Sequence, residues 1–304
     1  GVDSSVVAAL CVQALGREKV LGVNMPTKYN TEKTKTSARS LAEALEIPYM
    51  IVPIEDLAQK LTEKIEDADF PGMDKKLSQL NKENIQAKIR GTSVLSNLAA
   101  KYDALFTNNG NKLEIALGYA TLYGDVGGAI APIGDLTKAE TYQMAKYLNQ
   151  EVFGKQVVPE ALIPDELFRF EDDQIPPSAE LKEDQIDPMK FGYHDALLEA
   201  YTDFKKKGPY LIAKWYLEDK LEGLAEKLGV SEALLKRWGL EDPKVFFEDL
   251  EWFTRLFYRS IYKRVQAPPN VITSRSAFGY DIRESQIPWY PSSAYLKLKK
   301  DLLV

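Results

Sequence analysis

The stretch Gly1-Val2-Asp3-Ser4-Ser5 runs directly into an apolar segment with helical spacing. The apolar positions of that segment are Val6, Val7, Leu10, Cys11 and Ala14. Small residues, a carboxylate and two hydroxyls at a helix start predict a phosphate site, because the backbone N–H groups there lack partners within the helix and its dipole favours negative charge. An ordinary capped helix is the alternative interpretation, since Asp and Ser are also preferred caps.

The composition narrows the class of protein. A chain of 304 residues that is 45% hydrophobic can bury a large core as one domain or two. Its formal net charge of −6 argues against nucleic-acid binding and favours small-molecule or protein partners. No apolar run reaches the roughly 18 residues of a membrane span, and no signal-peptide pattern is present. The single cysteine, Cys11, cannot form an internal disulfide, so we expect a reducing, cytoplasmic location.

Short apolar stretches with strand character alternate with helical periodicity over the first half of the chain. The predicted strands are residues 20–25, 49–54 and 104–107, and residues 81–102 form a long predicted helix. This alternation predicts an α/β fold, a doubly wound parallel sheet with helices on both faces.

Ligands bind such sheets beyond the carboxyl ends of the strands, where loops enter helices. Three segments are predicted to lie at that edge: residues 1–5, 24–29 and 108–114. Nearby, Thr137-Lys138-Ala139-Glu140 has the form of a capping box that begins another helix. One shared ligand site at this edge is therefore expected.

The chain divides into three parts. Residues 1–150 form the α/β core, and residues 151–177, rich in acids and prolines, form a loop long enough to act as a lid. Residues 178–304 are helical again, with a helix start at Asp242-Pro243, and end in an irregular tail that completes the same domain. The only histidine, His194, is expected on an exposed helix surface without a catalytic role.

The N-terminal loop lacks the lysine of the Walker pattern G-x-x-x-x-G-K-[ST]. It resembles instead the pyrophosphatase loop S-G-G-x-D-S of the ATP pyrophosphatases. The first Ser and Gly of that loop would lie just before Gly1, so the chain is expected to begin within the loop and to be weakly active without them. The resemblance implies cleavage of ATP to AMP and pyrophosphate, with Mg²⁺ held by an Asp.

Further stretches resemble the NAD synthetases. E-N-I-Q-A-K-I-R-G-T at residues 83–92 is similar to their E-N-I-Q-A-R-x-R-G-T helix. G-N-K-L-E at 110–114 and G-Y-A-T-L-Y-G-D at 118–125 are similar to G-N-K-S-E and G-Y-x-T-L-Y-G-D. P-P-S-A-E-L at 176–181 and Y-K-R-V-Q-A-P-P at 262–269 are similar to P-x-[ST]-A-[DE]-L and Y-K-R-x-Q-A-P-P.

These stretches follow one another from residue 1 to about 283 in the same order as in the family, and their sequences resemble the synthetase domain of the glutamine-dependent NAD synthetases. The resemblance implies a two-step ligase reaction. The carboxylate of deamido-NAD attacks the α-phosphorus of ATP and releases pyrophosphate, and ammonia then displaces AMP to give NAD. It also implies a nitrilase-like glutaminase domain N-terminal to this chain as the ammonia source, and a homo-oligomer.

The resemblance assigns roles to particular residues. Asp3 and Glu114 would hold Mg²⁺ through oxygen ligands, which suit that ion. Asp125, near the incoming ammonia, and Lys138, on the ATP phosphates, would be catalytic. The residues that would bind ATP are Gly1, Val2, Asp3, Ser4, Ser5, Asn109, Lys138 and Ser178. Those that would bind deamido-NAD are Asn84, Lys88, Glu114, Tyr119, Asp125, Lys263 and Arg264.

The chain departs from the family pattern at several positions. Lys88 replaces the usual Arg and cannot make a planar bidentate contact. Asn108-Asn109 replaces Thr-Thr, which puts the ATP contact of Asn109 in question. Leu122 and Ala129 stand where the shorter, ammonia-using synthetases have Lys and Asp.

Two alternatives remain open. Another ATP pyrophosphatase, such as GMP synthetase or a tRNA-modifying adenylating enzyme, would share the loop. A lone cysteine disfavours the sulfur-transfer versions, and the acidic charge disfavours tRNA. A non-catalytic nucleotide-binding module is the second alternative, and the presence of Asp3 and Glu114 argues against it.

Overall fold

The fold is known from a computed structural model, which describes residues 1–68, 71–72, 75–178, 181–182, 187–202, 206–279, 282 and 288–303. Helices and short strands alternate in the first half. They are α1 (Val2–Leu15), β1 (Gly22–Asn24), α2 (Glu32–Leu45), β2 (Tyr49–Ile51), α3 (Glu55–Glu66), α4 (Gln79–Lys88), α5 (Ser96–Lys101), α6 (Lys112–Leu117) and α7 (Lys138–Tyr147). The π-helical segment Ile89–Leu95 joins α4 to α5, so the long predicted helix is confirmed.

The second half is helical, as predicted. Its helices are α8 (Tyr193–Thr202), α9 (Pro209–Leu228), α10 (Glu232–Arg237), α11 (Pro243–Arg259), α12 (Ile261–Arg264) and α13 (Ser293–Leu302). The predicted helix start at Asp242 is confirmed, because its carboxylate accepts a hydrogen bond from the Lys244 N–H at 2.8 Å. No described helix is both long enough and apolar enough to cross a membrane.

The sheet is shorter than the sequence predicts. β1 and β2 pair in parallel, with Gly22 opposite Tyr49, as an α/β fold requires. The third predicted strand, residues 104–107, is wrong as a strand: within the described residues it is reduced to a parallel bridge between Thr107 and Ile130. Such short ladders supply few hydrogen bonds, so helix packing carries most of the stability here.

Two hydrophobic cores meet at the site described below. The first surrounds α1, whose Val6 and Ala9 have no exposed surface and which packs between α2 and α7. The second is formed by the C-terminal helices, where the rings of Tyr216 and Phe246 stack with centroids 4.0 Å apart. Helix α6 belongs to the second core through Leu113, which is fully buried, while Glu114 in its first turn lies 3.4 Å from Lys138 of α7.

Residues 151–177 pack against α7 and the core around α1. Val157, Val158 and Leu162 are buried in the core around α1, and the segment contains the 3₁₀ turn Glu160–Leu162. The predicted motif at residues 176–181 continues from this segment, and its residues 179–180 lie outside the described part of the chain.

The prediction for His194 is wrong, because this residue is fully buried. Its Nδ1 accepts a hydrogen bond from the Lys190 N–H at 2.9 Å, and its Nε2 lies 2.9 Å from an oxygen of Asp249. The ring also stacks on Trp252 at 5.5 Å. Burying the polar imidazole ring of His194 costs little free energy, because both of its ring nitrogens have hydrogen-bond partners.

Candidate active site

A cavity of about 230 Å³ opens where the first turns of α1, α6 and α7 meet. Helix N-termini favour anions, because their N–H groups are free and their dipoles point positive ends outward. The opposite wall comes from the segment that contains Leu162 and Ile175. The predicted site residues that line the cavity are Gly1, Val2, Asp3, Glu114, Tyr119, Asp125, Lys138 and Ser178.

Local capping explains how two of these helices present their charged residues. Asn111 caps α6 in a capping box: its side chain accepts from the Glu114 N–H at 3.1 Å, while a Glu114 carboxylate oxygen accepts from the Asn111 N–H at 3.2 Å. Thr137 caps α7 in the same way, as the sequence predicts. Glu114 therefore sits in the first turn of α6, and Lys138 is the first residue of α7.

The residue that precedes α1 is Gly1, which has no side chain with which to cap the helix. The hydroxyls of Ser4 and Ser5 turn back to the Gly1 carbonyl oxygen, at 3.1 and 3.0 Å. Neither serine lines the cavity, whereas Gly1 and Val2 do. The loop thus offers backbone N–H groups to a ligand, and the two hydroxyls stabilise its turn.

One ammonium group links two carboxylates at the cavity. Lys138 Nζ lies 2.5 Å from Asp3 Oδ2 and 3.4 Å from Glu114 Oε1, and the Asn111 amide donates to Asp3 Oδ1 at 3.0 Å. Burial alone would lower the pKa of Lys138, but the charges of Asp3 and Glu114 hold it well above its ordinary value. Burial and the charge of Asp3 raise the pKa of Glu114 to about 8.

A second group of predicted residues is joined through Thr121. Its N–H donates to Asp125 Oδ1 at 2.6 Å, and its hydroxyl donates to Asn84 Oδ1 at 2.8 Å. Solvent reaches Asp125, yet the surrounding protein desolvates its carboxyl enough to raise the pKa. Lys263 donates to the carbonyl oxygens of Gly118 and Ala120, at 2.8 and 2.6 Å, and so fixes the backbone on both sides of Tyr119.

Two glycines allow this second group to assemble. A Cβ atom at Gly91 would lie 2.7 Å from the carbonyl carbon of Gly124, next to Asp125, and nearer still to the oxygen. We expect Gly91→Ala to destabilise the protein by about 1–3 kcal/mol, because backbone must move to admit the methyl group. Urea denaturation measures the change. Ser93→Ala, at an exposed position of the same helical segment, is the control and should stay within about 0.5 kcal/mol of wild type. Equal stability of the Gly91 variant and this control would contradict the close packing.

The remaining predicted residues do not reach the cavity wall. The backbone places Lys88 at an exposed position, and the side chain of Asn109 accepts a hydrogen bond from Thr107 at 2.8 Å. Arg264 is buried: its guanidinium lies 4.8 Å from the ring of Phe257, and it donates to the carbonyl oxygen of Ala116 at the end of α6. Arg264 thus holds the end of α6, and its contact with deamido-NAD stays a prediction.

The sequence interpretation missed several residues that shape the site. Asp195 is buried and accepts from the Lys138 N–H at 2.8 Å and the Gly192 N–H at 2.6 Å, so it anchors α7 to α8. No local pattern signals a contact over 57 positions. Lys112 was also missed, and its Nζ forms a buried ion pair with Asp135 at 2.8 Å. Its place inside the matched stretch at residues 110–114 could have marked it as a site residue.

Comparison with known proteins places these features in a family context. The sequence profile of the NAD synthase family matches residues 1–221. A glutamine-dependent NAD(+) synthetase of Thermotoga maritima is 33% identical over 283 residues, which cover 93% of this chain and 42% of that protein. An NH(3)-dependent NAD(+) synthetase of Methanocaldococcus jannaschii is 36% identical over 218 residues, 70% of this chain and 74% of that protein. The chain spans less than half the length of the glutamine-dependent relatives that it matches.

Solved structures share the fold. A glutamine-dependent NAD(+) synthetase from Cytophaga hutchinsonii superimposes with a TM-score of 0.62 at 18% identity, over 99% of this chain and 50% of that one. The enzyme of the same name from Acinetobacter baumannii, solved with adenosine diphosphate, gives a TM-score of 0.50 at 25% identity, over 93% and 43% of the two chains.

Proposed function

The chain belongs to the NAD synthase family, and from that premise we propose that it catalyses the ATP-dependent amidation of deamido-NAD to NAD, acting as a carbon–nitrogen ligase. One observation carries the proposal. Asp3, Glu114 and Lys138 meet at a cavity that Tyr119 and Asp125 also line. The predicted ATP site and the predicted dinucleotide site therefore open into one space, where an acyl group and a phosphate chain can react.

In the first step, a carboxylate oxygen of deamido-NAD attacks the α-phosphorus of ATP, and the bond to pyrophosphate breaks. The substrate itself is the nucleophile, so the protein has only to position the reactants and neutralise charge. The buried ammonium of Lys138 and the backbone N–H groups at the start of α1 would hold the phosphate oxygens. Ser178, on the opposite wall, would contact ATP as well.

In the second step, ammonia attacks the activated carbonyl carbon, AMP leaves and one proton is released. Asp125 lines the cavity, and desolvation by the surrounding protein raises the pKa of its carboxyl, which suits a group that orients ammonia and accepts that proton. Asn84 holds the same loop through Thr121, and Lys263 fixes the backbone beside Tyr119. These residues would align the nicotinate end of the dinucleotide.

The carboxylates of Asp3 and Glu114 fit Mg²⁺. Both are oxygen donors at the same cavity, and a divalent cation bound there would favour the ionised form of Glu114, whose pKa is raised by burial and by the charge of Asp3. Mg²⁺ takes few protein ligands and completes its shell with substrate phosphates and water. When bound, it would neutralise charge on the departing pyrophosphate.

Further parts of the proposal rest on the sequence patterns and on the family resemblance. The fold would be the doubly wound parallel sheet of the adenine nucleotide alpha-hydrolases, with residues 151–177 acting as a lid over the ATP site. Ammonia would come from a glutaminase domain attached N-terminally to this chain. The protein would act as a homo-oligomer in the cytoplasm.

The test is to incubate the full-length protein with ATP, Mg²⁺, an ammonium salt and deamido-NAD. We expect NAD and AMP to form in equal amounts, measured by chromatography. Replacing deamido-NAD by xanthosine monophosphate should give no AMP. AMP formation only with xanthosine monophosphate would favour a GMP synthetase. Absence of AMP with every acceptor, despite measurable ATP binding, would favour a non-catalytic nucleotide-binding module.

A further inference from the structure

Tyr142 carries a buried hydroxyl that lacks a hydrogen-bond partner among the described residues. The residue is 4% exposed and lines the cavity beside Lys138, Asp3 and Glu114. Burying a hydroxyl without a hydrogen bond is unfavourable, so such a group in a native protein points to a partner that is bound during function.

The surroundings of Tyr142 fix its ring in place. It lies one turn after Lys138 on α7, and Lys138 Nζ is 5.8 Å from the ring centroid. The ring packs against Phe168 and Phe170 of the segment 151–177, with centroids 6.1 and 6.4 Å apart. Burial raises the pKa of Tyr142 above its ordinary value, so the phenol stays protonated near neutral pH and can donate a hydrogen bond.

The nearest charged groups already have partners in the protein. Asp3 accepts from Lys138 and from the amide of Asn111, and Glu114 accepts from the Asn111 N–H. The ammonium of Lys138 is a donor only and cannot accept from a phenol. No described residue accepts a hydrogen bond from the Tyr142 hydroxyl, and Tyr142 lines the cavity, so we look to a molecule bound there for the acceptor. A phosphoryl oxygen fits, because it is the chemistry that Lys138 and the helix starts select.

We propose that the Tyr142 hydroxyl is a further ATP-binding group, which donates a hydrogen bond to a phosphoryl oxygen held beside Lys138. The inference rests on the proposed function, since it requires ATP in this cavity. Tyr142 would make this contact only in the complex with ATP. The hydroxyl should therefore be neutral or unfavourable for the stability of the free protein and favourable for ATP binding.

Tyr142→Phe tests both consequences by removing a single oxygen. We expect the Kd for ATP with Mg²⁺, measured by isothermal titration calorimetry, to rise about tenfold, equivalent to about 1.4 kcal/mol. The melting temperature of the free protein should stay the same or rise. Tyr193→Phe is the matched control: Tyr193 is fully buried, its hydroxyl also lacks a hydrogen-bond partner within the described residues, and it does not line the cavity. This variant should bind ATP as wild type does.

Each other outcome has a defined meaning. Wild-type protein that fails to bind ATP would overturn the proposed function and this inference with it. Wild-type binding that Tyr142→Phe leaves unchanged would overturn this inference alone, and would mean that the hydroxyl holds only an ordered water. A lowered melting temperature of Tyr142→Phe, with unchanged ATP affinity, would reveal an internal partner and overturn it equally.

Discussion

Lys138→Met is expected to reduce the rate of NAD formation by about 10²–10³-fold at saturating substrates, the effect of losing one preorganised charged donor. The wild-type ammonium is 1% exposed and lies 2.5 Å from Asp3, so it is held in place before ATP arrives. Methionine fills similar space without charge. The negative charge of Asp3 and of the phosphates would then lose the ammonium that neutralises it, and the charge that develops on pyrophosphate would be less well stabilised.

Two further variants make this result specific. Lys146→Met changes an exposed lysine on the same helix and should leave the rate within about twofold of wild type, as most surface changes do. Circular dichroism and thermal melting show whether Lys138→Met still folds. If it does not, Lys138→Arg, which keeps the charge with a longer side chain, should fold and retain a rate between those of wild type and background. A folded Lys138→Met protein with wild-type activity would refute the role of this residue.

The starts of the helices could be predicted from the sequence, because their signals are local. Asn111 with Glu114 and Thr137 with Glu140 are capping boxes, whose partners lie three residues apart. Capping fixes where a helix begins and therefore which side chain occupies its first turn. For the same reason, the sequence alone places Glu114 and Lys138 at helix starts, although it does not predict their contact.

Contacts between distant residues could not be predicted in this way. Asp195 binds the backbone of Lys138 across 57 positions, and Arg264 binds the carbonyl of Ala116 across 148. The buried position of His194 also depends on a remote residue, Asp249, which the local polar sequence does not reveal. The prediction of a strand at residues 104–107 was wrong for a related reason. A strand needs a neighbouring strand that continues the hydrogen-bond ladder, and here the pairing is a single bridge between Thr107 and Ile130.

A buried ion pair ties the C-terminal tail to the active-site helices. Lys112 Nζ lies 2.8 Å from Asp135 Oδ1, with both side chains almost fully buried, and also donates to the Ser274 hydroxyl at 2.8 Å. Asp135 in turn accepts from the backbone N–H groups of Thr273 and Ser274, at 2.8 and 2.6 Å. Burial would raise the pKa of Asp135, but Lys112 and these N–H groups lower it overall. The tail is thereby fixed next to the start of α7.

Lys112→Met should destabilise the protein by about 3–5 kcal/mol, because it leaves a buried carboxylate without its counter-charge. Urea denaturation at neutral pH measures the loss.

The pH dependence of stability gives a second check. The folded-state pKa of Asp135 is lowered, so the stability that its ion pair contributes is present above the unfolded-state pKa of about 3.9 and disappears as the pH falls through the folded-state pKa. Wild type and variant should therefore converge in acid, and adding Asp135→Asn to the variant should recover part of the loss at neutral pH. Lys236→Met, which breaks an exposed ion pair with Glu232 of 3.0 Å, is the control and should cost about 0.5 kcal/mol or less. A Lys112 variant no less stable than this control would mean that the pair does not hold the tail.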